Sequence, residues 1–150
     1  MTHSLPWARE GLGMGSPRRI RHGDHAMKIL CMLKKKPGMS FEDFRDYYET
    51  KHAPLCEKLI PFYTDYRRNF VVPVQDYNPG HLENALPAER PFDVVTELTF
   101  RDREQYQQLV DALSDPKIGD IITKDEENLF DRSAMTIYIV DEHVTESVVA

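Results

Sequence analysis

Residues 28–55, KILCMLKKKPGMSFEDFRDYYETKHAPL, carry the reading on which the fold turns. With Met27 in front, Met27–Lys34 reads as a strand, but without the apolar/polar alternation of a half-buried one. Ile29, Cys31 and Leu33 lie on one face and Leu30 and Met32 on the other. A strand apolar on both faces must be covered on both. Pro37-Gly38 then makes a turn, and Ser40 is a good N-cap whose hydroxyl can accept from the backbone N–H of Asp43. Met39 before that cap and Phe44 after it suit a hydrophobic staple, and the helix runs to about Leu59.

Downstream, Tyr66–Val72 reads as a second strand and Asp93–Phe100 as a third. A connection of about twenty residues, Pro73 to Phe92, joins them and carries four further prolines and glycines, a length more often functional than decorative. Asp102 caps a second helix with Gln105 at its third position, and Asp115-Pro116 opens another that runs toward Leu129. Met135–Val140 is the fourth strand, again apolar on both faces, with Met135, Ile137 and Ile139 opposing Tyr138 and Val140. The order β-α-β-β-α-(α)-β predicts an α+β, ferredoxin-like fold: a four-stranded antiparallel sheet with helices on one face. One helical layer leaves the second face bare, and a homodimer in which a partner's sheet covers it is the economical answer.

At 150 residues, the chain has room for one domain. Residues 27–143 are assigned to it, 144–150 to a C-terminal tail, and 1–26 to a disordered leader or tag. The leader holds Gly11, Gly13, Gly15, Gly23 and a basic knot at Arg18, Arg19 and Arg21, but no continuous apolar segment of a signal peptide. A net charge of −6 argues against a nucleic-acid partner, since phosphate binding needs a basic face. No apolar run approaches the ~20 residues needed to span a bilayer, so no membrane partner is expected. Cys31 and Cys56 lack metal-ligand spacing and read as buried free thiols, which suits a cytoplasmic protein.

Two polar residues interrupt apolar helical stripes. In the first helix the inward positions step through Phe44, Tyr48, His52, Leu55 and Leu59, so His52 falls on the buried side. Pro54, two residues on, leaves the carbonyl of Thr50 without its helical donor and should kink the helix. In the last helix the stripe runs Ile118, Ile122, Asp125, Leu129. A buried carboxylate is costly unless paired, and His52 is the candidate partner because both helices cover the same face of the sheet. Such a pair would orient the imidazole and raise its basicity, the usual preparation for acid/base work near neutral pH. The plain alternatives are a core histidine satisfied by a neighbouring tyrosine or carbonyl, and an Asp125 bonded to backbone N–H groups or Arg132. Phe44, Tyr47, Tyr48, Tyr66 and Tyr138 are the candidate substrate-binding walls, the tyrosines supplying hydroxyls that could donate to a carbonyl. Arg67 and Arg68 face opposite ways on their strand, so at most one reaches a pocket.

Together these segments resemble a known family. Residues 28–55 look like the opening of EthD-family domains, with an apolar strand, a basic K-x-K-P-G turn, a S-x-E-x-F-R-x-Y helix and an H-A-P-L segment. PFDVVTELTFRD at 91–102 and KDEENLFDRS at 124–133 fit the same pattern. The resemblance implies a dimeric α+β barrel, places the family histidine on His52, and carries the acidic C-terminal motif onto Asp125, Glu126 and Asn128. It also implies membership of a group associated with ether degradation, some members acting as decarboxylases or dehydratases in aromatic polyketide pathways. Fold alone does not choose among such chemistries.

The leading expectation is therefore a cofactor-independent enzyme acting on a small aromatic, polyketide-like or lactone carbonyl compound. His52 would move a proton and Asp125 would hold it in tautomer and orientation. A second expectation is an oxidoreductase, either cofactor-free or using haem with His52 as axial ligand. A third is a small-ligand-binding accessory protein without chemistry. No metal ligand set is read in the sequence.

Overall fold

A computed structural model describes residues 26–76, 79–83 and 89–148. The leader assigned to 1–26 thus lies almost wholly outside the described residues. Strands β1 (Met27–Leu33), β2 (Asp65–Phe70), β3 (Val94–Phe100) and β4 (Thr136–Val140) form one antiparallel sheet in the order β2-β3-β1-β4. The register sets Ile29 between Leu98 and Ile139, and Cys31 between Thr96 and Ile137. Tyr66 lies beside Leu98 and Arg68 beside Thr96. One face is thereby built from Ile29, Cys31, Leu33, Val94, Thr96, Leu98, Tyr66 and Ile137. All helices cover that face.

The first helix departs from a single α-helix in an instructive way. It runs as α1 (Phe41–Tyr47), a π-helical turn (Tyr48–His52) and α2 (Ala53–Leu59), with the N–H of Ala53 donating to the carbonyl of Tyr48. The sequence predicts a kink at Pro54; the chain instead widens by one residue just before it. A π-turn absorbs the register change that the missing proline donor imposes. Ser40 and Asp102 cap as expected, accepting from Asp43 N–H and Gln105 N–H. Asp115 does the same for Lys117 N–H. The second and third helices are α3 (Arg103–Ser114) and α4 (Pro116–Glu126). Gly38, at φ +81°, makes the turn before α1 in a conformation that favours glycine.

Backbone bonds hold the end of α4 over β1. Lys36 N–H donates to Leu129 O at 2.8 Å and Asp131 N–H to Lys34 O at 2.9 Å. Asp93, buried at the start of β3, accepts from Lys35 N–H through its carboxylate while its own N–H donates to Leu33 O, both at 2.8 Å. These ties fix where residues 125–130 sit relative to the first helix. The core centres on Phe44, Tyr48, Phe100, Leu129 and Val94, all at 2% exposure or less. Phe44 packs edge-to-face on Phe70 and Phe130, each with centroids 5.9 Å away. Phe44→Ala is expected to cost about 3–5 kcal/mol, the range for deleting a buried aromatic ring, read as a lower midpoint in urea at unchanged slope.

The opposite face carries Leu30, Met32, Val95, Tyr138 and Val140, flanked by Lys28, Glu97, Asn69 and Arg67. Tyr138 is 54% exposed there. No described helix is long and apolar enough to cross a membrane.

Candidate active site

Between the helices and the sheet of a single chain lies a cavity of about 160 Å³. Its walls come from every layer: Tyr48, His52 and Cys56 from the first helix, Thr96 and Tyr66 from the sheet, and Glu126 from α4. Apolar side chains, Ile29, Leu98, Leu109, Ile122 and Phe130 among them, make up most of the rest.

The π-turn places His52 with Tyr48 on the inner side of the helix, their rings edge-to-face at 5.2 Å. Phe130 closes on the imidazole from α4's end, centroids 5.4 Å apart. His52 is only 5% exposed. Its Nδ1 sits 2.7 Å from Oδ2 of Asp125, and Tyr47 donates its hydroxyl to the other carboxylate oxygen at 2.6 Å. Asn128 Nδ2 in turn donates to the Tyr47 hydroxyl at 3.1 Å. A carboxylate only accepts, so the proton of neutral His52 resides on Nδ1 and the lone pair on Nε2. That lone pair faces the cavity, where Cys56 Sγ lies 3.5 Å away. Burial pushes the imidazole below its ordinary value of 6.5, and the attraction of Asp125 offsets this only in part. His52 is thus neutral at pH 7, oriented, and basic at the cavity-facing nitrogen.

A second hydroxyl chain lies across the cavity. Tyr66 donates to Tyr48 at 3.2 Å, and Tyr48 and Thr96 share a hydrogen bond of 2.8 Å. Burial drives both phenols well above the usual tyrosine range. Burial likewise holds Cys56 as a thiol, pushed up to about 12, and Cys31, pushed up to about 11. Arg68 stacks over the outer side of Tyr66, its guanidinium carbon 4.6 Å from the ring centroid, and forms two hydrogen bonds with Glu49 at 2.7 and 2.9 Å. It borders a polar groove outside the cavity rather than the cavity itself.

Of the walls expected from sequence, Tyr48 and Tyr66 line the cavity. Phe44 does not: it lies one turn toward the helix start, sealed in the core at 0% exposure. Tyr47 points instead to Asp125, behind the imidazole. Tyr138 pairs with Leu30 and so belongs to the opposite face of the sheet. No described residue of the Pro73–Phe92 connection lines the cavity either. Cys56, Thr96 and Phe130 were missed as site residues, although Thr96 had a readable signal: it is the one hydroxyl on the inward positions of β3, between Val94 and Leu98. Among the described residues no group of three or more His, Cys, Asp or Glu is placed to hold a metal ion.

A family model for the EthD domain matches residues 36–133. The chain belongs to the EthD family. Within that family's reach is the conidial pigment biosynthesis dehydratase EthD of Metarhizium robertsii, 27% identical over 128 residues that span 77% of this chain and 84% of the relative. Two solved structures share the fold. An EthD family protein of Bacillus halodurans aligns at a TM-score of 0.53 and 24% identity, covering 79% of this chain and 100% of the other. An EthD-like protein of Ralstonia eutropha aligns at 0.55 and 20%, covering 81% and 96%. The EthD match takes in both His52 and Asp125.

Proposed function

We propose that the protein is a cofactor-independent acid/base lyase that removes water, or another small leaving group, from a small apolar carbonyl compound. The observation that carries this reading is the orientation of His52: Nδ1 held by Asp125 at 2.7 Å, Nε2 on the cavity side with only a long 3.5 Å contact to the Cys56 thiol. A neutral imidazole so held can take a proton from carbon next to a carbonyl. The dehydratase name of the Metarhizium robertsii relative supports elimination of water as the class of reaction. Cavity size supports a compact substrate. An engineered apolar cavity of about 150 Å³ binds benzene, so about 160 Å³ suits one ring and its carbonyl arm, not a porphyrin.

The test is proton exchange. With the β-hydroxy ketone made from benzaldehyde and acetone in heavy water, the protein should speed deuterium entry at the carbon between the two oxygen-bearing ones. It should also form benzylideneacetone. A protein that accelerates neither reaction does not support the reading.

The uncovered sheet face supports a homodimer in which a second copy's sheet packs on Leu30, Met32, Val95 and Tyr138. Light scattering should then give twice the chain mass of 17.5 kDa. The pair Leu30→Glu and Tyr138→Glu should halve it. A native protein that runs as a single chain would refute the dimer.

A further inference from the structure

An apolar chamber that takes a proton from carbon must also supply one to the departing oxygen. Hydroxide is a poor leaving group, and a mainly apolar lining does little to stabilise it once formed. The cavity walls therefore have to contain an acid. Most of the acidic groups on the walls are excluded by their surroundings. Cys31 and Cys56 are pushed up to about 11 and about 12, too weak to protonate a leaving group at neutral pH. The Tyr48 and Tyr66 hydroxyls are committed to one another and to Thr96, and burial weakens them further as acids. His52 is the base.

Glu126 remains. On α4, Ile122, Asp125, Glu126 and Leu129 stand at spacings of three, one and three, so Asp125 takes a stripe position and Glu126, four residues after Ile122, stands beside it. Their surroundings differ sharply. Asp125 is bound by two short hydrogen bonds and serves as an acceptor. Glu126 lines the cavity with His52, its side chain 16% exposed, and its ion-pair contact is Arg132 Nε at 3.9 Å, beyond hydrogen-bond range. From a single helix turn, one carboxyl is thus fixed behind the base while its neighbour lines the cavity with no hydrogen bond as short as those on Asp125.

We propose that Glu126 is the general acid of this site, delivering a proton to the oxygen that leaves a β-hydroxy carbonyl substrate while His52 takes the α-proton. This assignment rests on the lyase reading given above. In the step, the α-carbon–hydrogen bond breaks and its proton goes to Nε2 of His52. The freed electron pair is held as the enolate of the carbonyl, which can take a proton back; on its collapse the carbon–carbon double bond forms, the β-carbon–oxygen bond breaks, and Glu126 protonates the oxygen to release water. The imidazolium then returns its proton to the Glu126 carboxylate through that water, so no oxidant, reductant or cofactor is consumed. Burial raises the Glu126 carboxyl from its ordinary value, and the neighbouring Asp125 pushes the same way against the opposing Arg132. The other titratable groups around it are Cys31 from β1 and Cys56 and His52 from the first helix. The shifts of His52 and Glu126 run in the directions that favour a neutral base and a protonated acid.

The experiment varies the leaving group. Glu126→Gln keeps the size and removes the proton. On the benzaldehyde–acetone hydroxy ketone it should lower kcat by about 10²-fold or more. On the acetate ester of the same compound, whose leaving group needs no protonation, it should retain most activity. Deuterium entry at the α-carbon should persist, which separates this result from failure of the base, because His52→Ala loses exchange. Equal losses on both compounds, or none on the hydroxy ketone, would overturn the role of Glu126 while leaving that of His52 standing. Wild-type protein alone gives a second reading should the variant not fold. Its rate on the hydroxy ketone should fall with rising pH as Glu126 ionises, with no such limb on the acetate; a limb common to both substrates overturns the assignment.

Discussion

His52→Ala is expected to lower elimination and α-proton exchange by about 10²–10⁴-fold, the usual contribution of a positioned general base, while the fold stays intact. Intact folding follows from the local geometry. Asp125 keeps the Tyr47 hydroxyl bond at 2.6 Å, and the aromatic cluster of Phe44, Tyr48, Phe70 and Phe130 does not depend on the imidazole for closure. The expected stability cost combines the lost partner of Asp125 with the cavity left against Tyr48 and Phe130, about 2–5 kcal/mol. Removing the ring also leaves a ring-sized space next to Asp125, so added imidazole should restore part of the rate. A purely structural histidine would show no such rescue. If the variant exchanges and eliminates at the parental rate, His52 is not the base.

The pH profile of the parent carries the same argument. His52 acts as a base only when neutral, and burial lowers its titration from 6.5. The acid limb of the rate is therefore expected below pH 6.5. Stability follows in sign. Between the lowered folded value and 6.5 the unfolded chain binds more protons than the native one, so stability rises with pH through that window and is lost as pH falls through it. Asp125 opposes the shift, so its removal should move the acid limb lower still.

Much of this site was legible because periodicity exposes exceptions. A histidine and an aspartate on apolar helical stripes stand out whatever the fold, and a four-strand, helix-covered order puts both stripes over one sheet face. The depth of a residue along a stripe is not encoded in its period. Phe44 and Tyr48 share a face of the first helix, yet one seals the core and the other walls the cavity. Parity had a similar limit in β4. It separated Tyr138 from Ile137 correctly, but which parity meets the helices depends on the register with β1, a long-range pairing. The π-turn was read as a kink since Pro54 announces a lost donor and not how the backbone absorbs it. Glu126 entered the sequence reading only through the acidic motif of the family resemblance, because Asp125 occupied the stripe position and its neighbour stands about 100° further round the helix.

Asp125→Asn is expected to cost as much as His52→Ala within about tenfold, although it changes a single atom. The reason lies in the direction of one hydrogen bond. In the parent the carboxylate can only accept, so Nδ1 carries the proton and Nε2 offers its lone pair to the cavity. Asparagine keeps its carbonyl for the Tyr47 hydroxyl and turns its N–H₂ toward Nδ1. The imidazole must then accept there and carry its proton on Nε2, which presents a donor where the reaction needs a base. In serine-protease triads the equivalent change lowers kcat by about 10⁴ with the geometry intact. Nitrogen chemical shifts of the labelled ring should report the tautomer switch directly. Adding Asp125→Asn to His52→Ala should lower the rate no further, because the aspartate acts only through the ring. Full activity in Asp125→Asn, or losses in the double variant that multiply, would mean that the two side chains work separately and that Asp125 is no more than a buried partner for Tyr47.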